Sequence, residues 1–363
     1  MGFFSDLFKG GKGASVLGID IGSSSLKVVQ LRKEHNTIVL ETYGELALGP
    51  YGGAEVGQAT NLPADTIAKT LTDLLHEANV TTKDCGVSIP TARSLLAFVE
   101  LPRRDDPKEQ KTVIELEARK YIPVPVSEVQ LDWFILPERA QEQTQKEEKP
   151  ANVQVLLVAV HNDEIKLLES VVKQAELAAT FYEIEIFSTI RAVVDEPTKP
   201  VMIIDIGAGS TKVYVVEQSV VSVSHAIPHG GQDITRAIAA SSHIDITHAE
   251  QTKKKAGFAD ADPSLRESIE GILSTIFAEA QRVLSQFESE HHRSVSLITL
   301  TGGGGVTKGL AEYAQQFFSM EVRIADPFAK TRAPAFMRPV LKEIGPEFSV
   351  AVGIALRKLE ERS

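Results

Sequence analysis

The sequence predicts an α/β protein built of two similar lobes. Two features carry this prediction: a segment near the start of the chain recurs about half a chain later, and a glycine-rich turn follows a β-rich run in the last quarter. The length of 363 residues exceeds one typical domain, which leaves room for two lobes. We therefore expect a duplicated fold with a ligand-binding cleft.

The composition is that of an ordinary folded protein, with 43% hydrophobic and 24% charged residues. A net charge of −11 argues against general nucleic-acid binding. The single cysteine, Cys85, cannot form an internal disulfide and offers too few thiolates for a cysteine-based zinc site. No apolar run approaches the roughly 18 residues of a membrane-spanning helix, and the opening residues lack a signal-peptide core, so we expect a cytoplasmic protein.

The repeat reads DIGSSSLKV from Asp20 and DIGAGSTKV from Asp205, and each copy follows an apolar run. An apolar run, an acidic residue, a Gly/Ser turn and a second β-rich run predict a β-hairpin. A simple turn would account for the glycines and serines. It would not require the aspartate before the glycine, nor Lys27 and Lys212, which follow the aspartates by the same interval. We interpret both segments as phosphate-binding hairpins.

The residue types in the hairpins suit phosphate and magnesium. A Gly/Ser turn exposes N–H and hydroxyl donors to phosphate oxygens, and the lysine adds positive charge. Asp20 and Asp205 stand where a hydrated Mg²⁺ ion would need them, because this ion keeps most of its waters and takes one or two carboxylates. The GxxxxGK[ST] pattern of a P-loop is absent.

A third glycine cluster, 301–305, lies between the β-rich run SVSLITL and a helical stretch. A glycine turn between strand and helix lets the backbone approach a ligand closely, although a flexible loop would explain this cluster equally well by itself. Beside two phosphate hairpins, it is the expected place for the nucleoside. Apolar residues at helical spacing predict a helix over 265–289 that leaves Glu279 and Arg282 on a neighbouring side.

Residues 86–179 read as a small α+β unit whose first strand is GVSIP, from Gly86. The polar run 138–150 contains no apolar residue larger than alanine and predicts a mobile hairpin loop. Residues 121–126 either line an apolar peptide groove or form a helix-ending turn packed on the core.

Three further polar patterns are assigned structural roles. Asp233 is expected to cap a helix that starts near Ile234. His291 and His292 are expected at a solvated helix end. The lysines 253–255 are expected on a solvated helix face, with contact to nucleotide or lipid as the alternative.

Together, the two hairpins, the TGGGG segment and the closing helix SVAVGIALRKL resemble the actin-like ATPase superfamily, whose fold is a duplicated, ribonuclease H-like, two-lobed α/β structure. Within it the chain is most similar to the PilM family of type IV pilus assembly proteins, through GIDIGSSSLK, IEIFSTIRAVV and IPHGGQDITRAIA. The resemblance implies these parts: a flexible tip, 1–13; a first lobe core, 14–85 and 180–199; an inserted FtsA-like α+β subdomain, 86–179; a second lobe core, 200–230 and 295–363; and a helical subdomain closing on adenosine, 231–294.

The resemblance also implies ATP or ADP with Mg²⁺ in the cleft. The residues implied to bind nucleotide are Asp20, Gly22, Ser23, Ser24 and Lys27 in the first hairpin, Asp205, Gly207, Ala208, Gly209 and Ser210 in the second, Gly302, Gly303 and Gly304 in the adenosine loop, and Glu279 and Arg282 on the helix. For the last two residues a solvated i,i+3 ion pair is an equal alternative. Glu185 is implied to position the attacking water, and because no further base stands beside it in the sequence, hydrolysis is expected to be slow or absent.

For partners, the resemblance implies a cytoplasmic scaffold held at the inner face of the inner membrane. Its inserted subdomain would dock the N-terminal tail of PilN, a membrane protein partnered by PilO, and nucleotide state would tune that contact. Self-association, as in actin-like filaments, stays open. The alternatives are an FtsA-like division scaffold, against which we count the absence of an amphipathic helix after RKLEERS, and a sugar- or acetate-class kinase.

Overall fold

The computed structural model describes residues 14–136, 151–195 and 198–361. The predicted flexible tip, 1–13, and the predicted mobile loop, 138–150, lie outside these residues. The chain forms two compact units. The small unit is Pro90–Glu169, and the large unit comprises the chain before and after it.

Strands and helices alternate irregularly along both units. The strands are β1 (Ser15–Ile21), β2 (Ser25–Glu34), β3 (Thr37–Ala47), β4 (Asp84–Ile89), β5 (Ser94–Pro102), β6 (Val129–Ile135), β7 (Asn152–His161), β8 (Ala178–Ile184), β9 (Val201–Ile206), β10 (Thr211–Glu217), β11 (Val220–Ile227), β12 (Leu297–Thr301) and β13 (Val322–Ile324). The helices are α1 (Ala64–Glu77), α2 (Pro107–Ala118), α3 (Asn162–Gln174), α4 (Glu185–Val193), α5 (Gly231–Ser242), α6 (Ile246–Ala256), α7 (Pro263–His291), α8 (Leu310–Phe318), α9 (Arg338–Ile344) and α10 (Ser349–Glu361).

The large unit contains two five-stranded sheets of the same design. The first has the order β3-β2-β1-β4-β8, and the second has the order β11-β10-β9-β12-β13. In each sheet three consecutive strands are antiparallel, and the first of them also pairs in parallel with a later strand. This equivalence confirms the predicted duplicated α/β fold. The two DIG segments occupy the same place in their sheets, at the β1–β2 and β9–β10 turns.

The second sheet packs against the long helix α7. The predicted helix 265–289 is observed as Pro263–His291, beginning where the Asp262 carboxylate accepts a hydrogen bond from the N–H of Leu265. The apolar stripe predicted from the sequence is largely buried in the core of this lobe, at Ile269, Ile276, Ala280, Val283 and Phe287. The hydrophobic effect thus fixes the face that α7 turns toward the sheet.

The closing helix α10 packs on the first sheet, although the sequence placed residues 295–363 in the second lobe. Its small residues allow very close packing against backbone. A Cβ added at Gly18 on β1 would lie 2.0 Å from the carbonyl oxygen of Ala351, and one at Gly353 would lie 1.9 Å from that of Ser188 on α4. The prediction for this helix was wrong because α10 follows β12 and β13 in the sequence but packs on the other sheet. Closeness in the sequence does not determine which sheet a helix covers.

The small unit is the three-stranded antiparallel sheet β5-β7-β6 with α2 on one face. The predicted first strand of the inserted unit, GVSIP, belongs instead to β4 in the first sheet, where Cys85 pairs with Leu17. Ile122 is buried in the core of the small unit, with Val124 and Val126 packed against that core, as expected of a helix-ending turn. Tyr121 is exposed.

None of the described helices is both long enough and apolar enough to cross a bilayer.

Replacing Gly18 with alanine is expected to destabilise the large unit by about 3 kcal/mol, because the new methyl group cannot fit beneath α10. The matched control is Gly271→Ala, since Gly271 lies within α7 and an added Cβ there meets no atom within 4 Å. The control is expected to stabilise the protein by up to about 1 kcal/mol, because alanine favours helix. Urea unfolding measures both. Equal stabilities of Gly18→Ala and wild type would contradict the packing of α10 on β1.

Candidate functional site

The two DIG hairpins are built alike at atomic level. Asp20 pairs directly with Lys27 across β1 and β2, and Asp205 pairs with Lys212 across β9 and β10. The first turn is closed by a hydrogen bond from the N–H of Gly22 to the oxygen of Ser25 at 3.1 Å, and the second by the corresponding bond from Gly207 to Ser210 at 3.0 Å. The sequence interval between aspartate and lysine is therefore a cross-strand pairing, repeated in both lobes.

Asp20 lies at the buried end of β1. Its Oδ1 accepts a hydrogen bond from the Ser88 hydroxyl at 2.9 Å, and the same hydroxyl accepts one from the N–H of Ile21 at 3.1 Å. Burial raises the pKa of Asp20 to about 6, against the opposing effect of Lys27. Ser88, on β4, was not identified from the sequence, and it fixes the orientation of this carboxylate.

Lys212 joins the two lobes through an ion pair. Its Nζ lies 3.0 Å from Oε2 of Glu185 and 3.5 Å from Oδ2 of Asp205. Glu185 is the first residue of α4, which packs with the first sheet, whereas Asp205 ends β9 of the second. Burial lowers the pKa of a lysine, but the two carboxylates outweigh it and raise the pKa of Lys212. The predicted catalytic glutamate is thus in the cleft with both aspartates, and it is bonded to a lysine.

Burial also raises the pKa of Asp205, which Lys212 opposes. Three carboxylates, those of Asp20, Asp205 and Glu185, and two ammonium groups, those of Lys27 and Lys212, therefore influence one another in the cleft. No cluster of three or more histidine, cysteine or acidic residues preformed to hold a metal is found among the described residues. Two strand-end aspartates do fit a hydrated Mg²⁺ ion, which needs only one or two protein ligands.

The glycine turn 302–305 packs against the end of β9. The N–H of Gly304 donates to the oxygen of Ile206 at 2.8 Å, and a Cβ at Gly302 would lie 2.3 Å from Oδ1 of Asp205. Gly302 also has φ +79°, which favours glycine. Gly303 is exposed, and the nearest atoms to its missing Cβ, those of Glu347, are 4.0 Å away. The turn therefore packs its backbone against the end of β9 and the Asp205 carboxylate, while Gly303 stays exposed.

Helix α5 starts against the turn of the second hairpin, residues 207–210. The N–H groups of Gly231 and Gln232 donate to the oxygens of Gly207 and Ala208, both at 2.9 Å. A Cβ at Gly230 would lie 2.5 Å from the Ala208 oxygen, so only glycine fits there. Asp233 does cap this helix, but from its third residue: its Oδ2 accepts from the N–H of Gly230 at 2.9 Å.

Lys253 is largely buried beside this helix start, although the sequence suggested a solvated face for it. Its Nζ donates to Oε2 of Glu250 at 2.6 Å, to the hydroxyl of Thr235 at 2.8 Å and to the oxygen of Gly231 at 3.0 Å. Burial lowers its pKa, and Glu250 opposes that shift. Lys254 and Lys255 are exposed as predicted. The Glu250–Lys253 pair was missed because a run of three lysines hides which one faces the protein.

Glu279 and Arg282 lie on the outer surface of α7. Arg282 donates to Oε2 of Glu279 at 3.0 Å, and His225 of the edge strand β11 lies 3.6 Å from the same oxygen. These contacts match the alternative of a solvated i,i+3 pair. The structure therefore brings Glu250 and Lys253, rather than Glu279 and Arg282, to the start of α5 beside the turn of the second hairpin.

Two acidic residues, Glu45 and Glu347, influence the lysine of the first hairpin. Lys27 lies 3.0 Å from Oε1 of Glu45, its cross-strand partner on β3. Burial and the nearby Glu45 carboxylate raise the pKa of Glu347 to about 7. Glu347 follows Pro346, whose oxygen accepts from the N–H of Gly302 at 3.1 Å. Glu347 thus follows the residue that bonds the glycine turn, and its charge acts on Lys27 of the first hairpin.

Comparison with known proteins identifies a family whose model matches nearly the whole chain. The family model "Type IV pilus assembly protein PilM" matches residues 18–359. The chain is 28% identical over 169 residues to the cell division protein FtsA of Bacillus subtilis, a match that covers 40% of this chain and 38% of FtsA, so less than half of that relative is spanned.

Solved structures show the same fold. The structure of a PilM–PilN type IV pilus biogenesis complex is 26% identical, with a TM-score of 0.79, and the match covers 94% of this chain and 98% of that chain. MreB 5 of Spiroplasma citri bound to AMPPNP is 12% identical, with a TM-score of 0.55, covering 96% and 97% of the two chains. The fold is therefore the actin-like, two-lobed one.

Replacing Glu347 with glutamine is expected to change how stability depends on pH. The pKa of Glu347 is about 7 in the folded protein, against 4.5 for an ordinary glutamate. Between these pH values the Glu347 carboxyl is protonated in the folded state and ionised in the unfolded state. The contribution of Glu347 to stability therefore falls as pH rises from about 4.5 to about 7. Glu347→Gln lacks that loss, and its stability relative to wild type should rise by about 2 to 3 kcal/mol across the window.

Urea unfolding at pH 5 and pH 8 measures this difference. Glu343→Gln, at an exposed position on α9, is the control and should keep a constant stability difference from wild type. If Glu347→Gln behaved like this control, Glu347 would not hold a proton in the folded cleft at neutral pH.

Proposed function

The chain belongs to the PilM family of type IV pilus assembly proteins, and we propose that it binds ATP or ADP with Mg²⁺ between its two lobes. The observation that carries the proposal is the pair of equivalent Asp–Lys hairpins, one from each sheet, connected by the Lys212–Glu185 ion pair. A ligand with several phosphates is the chemistry that two such turns suit, because each supplies backbone N–H donors and a lysine.

In this proposal the first turn, Gly22 to Ser24 with Lys27, and the second turn, Gly207 to Ser210 with Lys212, bind the phosphates. Asp20 and Asp205 orient the waters of the Mg²⁺ ion, which neutralises phosphate charge when bound. Ser88 keeps the Asp20 carboxylate in place. The nucleoside would lie against Gly302, Gly303 and Gly304, and the Glu250–Lys253 pair would contact it from the start of α5.

Glu185 is proposed to position water, but its Oε2 is bonded to Lys212 at 3.0 Å. It can accept a proton from water only after Lys212 has turned toward phosphate. A general base acts best when it is not already neutralised by a cation. We therefore propose that hydrolysis is slow or absent, so that the protein acts through nucleotide binding rather than turnover.

The proposed partner is the N-terminal tail of a PilN-type membrane protein, docked on the small unit. A structure of a PilM–PilN complex, 26% identical to this chain, supports this. Such a partner would hold the protein at the inner face of the inner membrane. Nucleotide would tune the contact if the bound and free states differed in affinity for the tail.

Replacing Lys253 with methionine is expected to weaken Mg-ATP binding at least about tenfold, because the change removes a largely buried charge beside the second phosphate turn and leaves Glu250 without its closest cation. Isothermal titration calorimetry measures the affinity, and circular dichroism checks that the variant folds. Lys255→Met, at an exposed position two residues away, is the control and should bind within about twofold of wild type. Equal Mg-ATP affinities of the two variants would show that Lys253 does not contribute to nucleotide binding. Failure of wild type to bind ATP would overturn the proposed function.

The affinity for the partner tail is expected to differ by about fivefold or more between the nucleotide-free and ATP-bound protein, which is a usual size for coupling between sites. Fluorescence anisotropy with a labelled peptide of the PilN-type tail measures it in the nucleotide-free, ADP and ATP states, with a scrambled peptide as control. Equal affinity in all three states would show that nucleotide does not regulate docking.

A further inference from the structure

The segment between β3 and α1, residues 48–63, crosses from one lobe to the other, and we name it the clasp. Both of its ends are tied to the first phosphate turn. The N–H of Leu48 donates to the oxygen of Ser24 at 2.8 Å, and the N–H of Thr60 donates to the oxygen of Ser23 at 2.8 Å. The Thr60 hydroxyl makes a second bond to that oxygen at 3.1 Å. The clasp therefore moves with the first hairpin.

The middle of the clasp contacts α5 and α6 of the second lobe. The hydroxyl of Thr247 donates to Oε2 of Glu55 at 2.6 Å, and the N–H of Ala59 donates to Oε1 of Gln232 at 3.2 Å. Gly57, with φ +86°, lies so close to Glu250 that an added Cβ would be 2.8 Å from its carboxyl carbon. Hydrogen bonds and a close backbone contact thus connect the lobes along this segment.

Ala59 and Thr60 bridge the two phosphate turns themselves. Thr60 is bonded to Ser23 of the first turn, while a Cβ added at Gly209 of the second turn would lie 3.3 Å from the Cβ of Ala59. The consecutive residues Ala59 and Thr60 therefore contact both turns. If the two hairpins separate, these residues must lose their contact with one of the turns.

The clasp has a defined internal structure. The N–H of Ala54 donates to the oxygen of Gly49 at 2.9 Å, and that of Gln58 donates to the oxygen of Glu55 at 3.2 Å. A Cβ at Gly49 would lie 2.2 Å from the Glu55 oxygen, so the start of the clasp folds tightly onto its middle. A preformed segment loses less conformational entropy when it engages its target than a flexible loop does.

We infer that the clasp retains bound nucleotide by holding the two lobes together across the phosphate turns. Release of a nucleotide from a cleft requires the cleft to open, and opening breaks the contacts of Glu55, Gly57 and Ala59 with the second lobe. Glu250, which Gly57 covers, also pairs with Lys253 at the proposed nucleoside site. The inference rests on the proposed function, because it concerns the release of the nucleotide that function binds.

The test uses Thr247→Val in the full-length protein, with Thr252→Val as its matched control. Both threonines are half-buried on α6, but the Thr252 hydroxyl bonds within its own helix, to the oxygen of His248 at 2.8 Å. Stopped-flow release of a fluorescent ATP analogue should be about threefold to tenfold faster in Thr247→Val and within about twofold of wild type in Thr252→Val. Equal release rates of the two variants would overturn the inference.

A second pair of variants tests the backbone contact. Gly53 and Gly57 both have positive φ, +72° and +86°, but an added Cβ meets no atom within 4 Å at Gly53 and meets Glu250 at Gly57. In both variants alanine has to adopt a positive φ, which is unfavourable for a residue with a Cβ. Gly57→Ala should therefore release nucleotide at least about threefold faster than Gly53→Ala, and equal release from these two variants would also overturn the inference.

Hydrogen exchange without nucleotide separates failure of the clasp from failure of the proposed function. The amides of Ala59 and Thr60 should exchange about threefold or more faster in Thr247→Val than in Thr252→Val. If exchange differed in this way but wild type bound no ATP, the contacts of the clasp with the second lobe would be confirmed. The proposed function would then be wrong, and so would the role of the clasp in nucleotide retention. If ATP bound and exchange were the same in both variants, the clasp would be wrong and the proposed function would stand.

Discussion

The arrangement of the large unit depends on burying charged groups at the ends of two equivalent strands. Asp20 and Asp205 are both nearly inaccessible, at 8% and 6% exposure, and each stands opposite a lysine of its own hairpin. A buried charge without a partner is strongly destabilising. Lys212 meets this requirement from both sides of the cleft, since Asp205 belongs to its own lobe and Glu185 to the other. The ion pairs of Lys212, which place a lysine at the proposed phosphate site, therefore also join the two lobes.

Close backbone packing is the second constraint. Gly18 and Gly353 let α10 lie directly on β1 and α4, while Gly230 and Gly302 let backbone approach the second hairpin and the Asp205 carboxylate. At each place a methyl group would collide with main chain or with a buried carboxylate, and main chain cannot move aside as a flexible side chain does. These contacts leave few alternatives for the positions of the phosphate turns. A site held by backbone in this way is preorganised for its ligand.

Contacts of different chemistry join the lobes, among them the Lys212–Glu185 ion pair, the electrostatic interaction of the Glu347 carboxyl with Lys27, and the clasp. A ligand that carries negative charge into the cleft competes with the first two, because it offers new partners to the same lysines. The clasp uses neutral donors and backbone for most of its contacts and is less directly affected by that competition. Contacts of this kind can persist while the charges in the cleft rearrange.

The sequence by itself determined the duplicated α/β fold, the two Asp–Lys hairpins, the helix α7 with its buried stripe and the glycine turn at 302–305, because each is a local pattern whose physical cause lies in neighbouring residues. Only the tertiary structure decided that α10 covers the first sheet, that GVSIP is a strand of that sheet, that Lys253 is the largely buried lysine of its run and that Glu279 and Arg282 lie on the surface. It also placed Ser88, Glu45 and Glu347 in the cleft. These residues carry no local signal, since their partners stand far away in the chain, and a polar side chain becomes part of a site only when folding removes it from water beside an opposite charge.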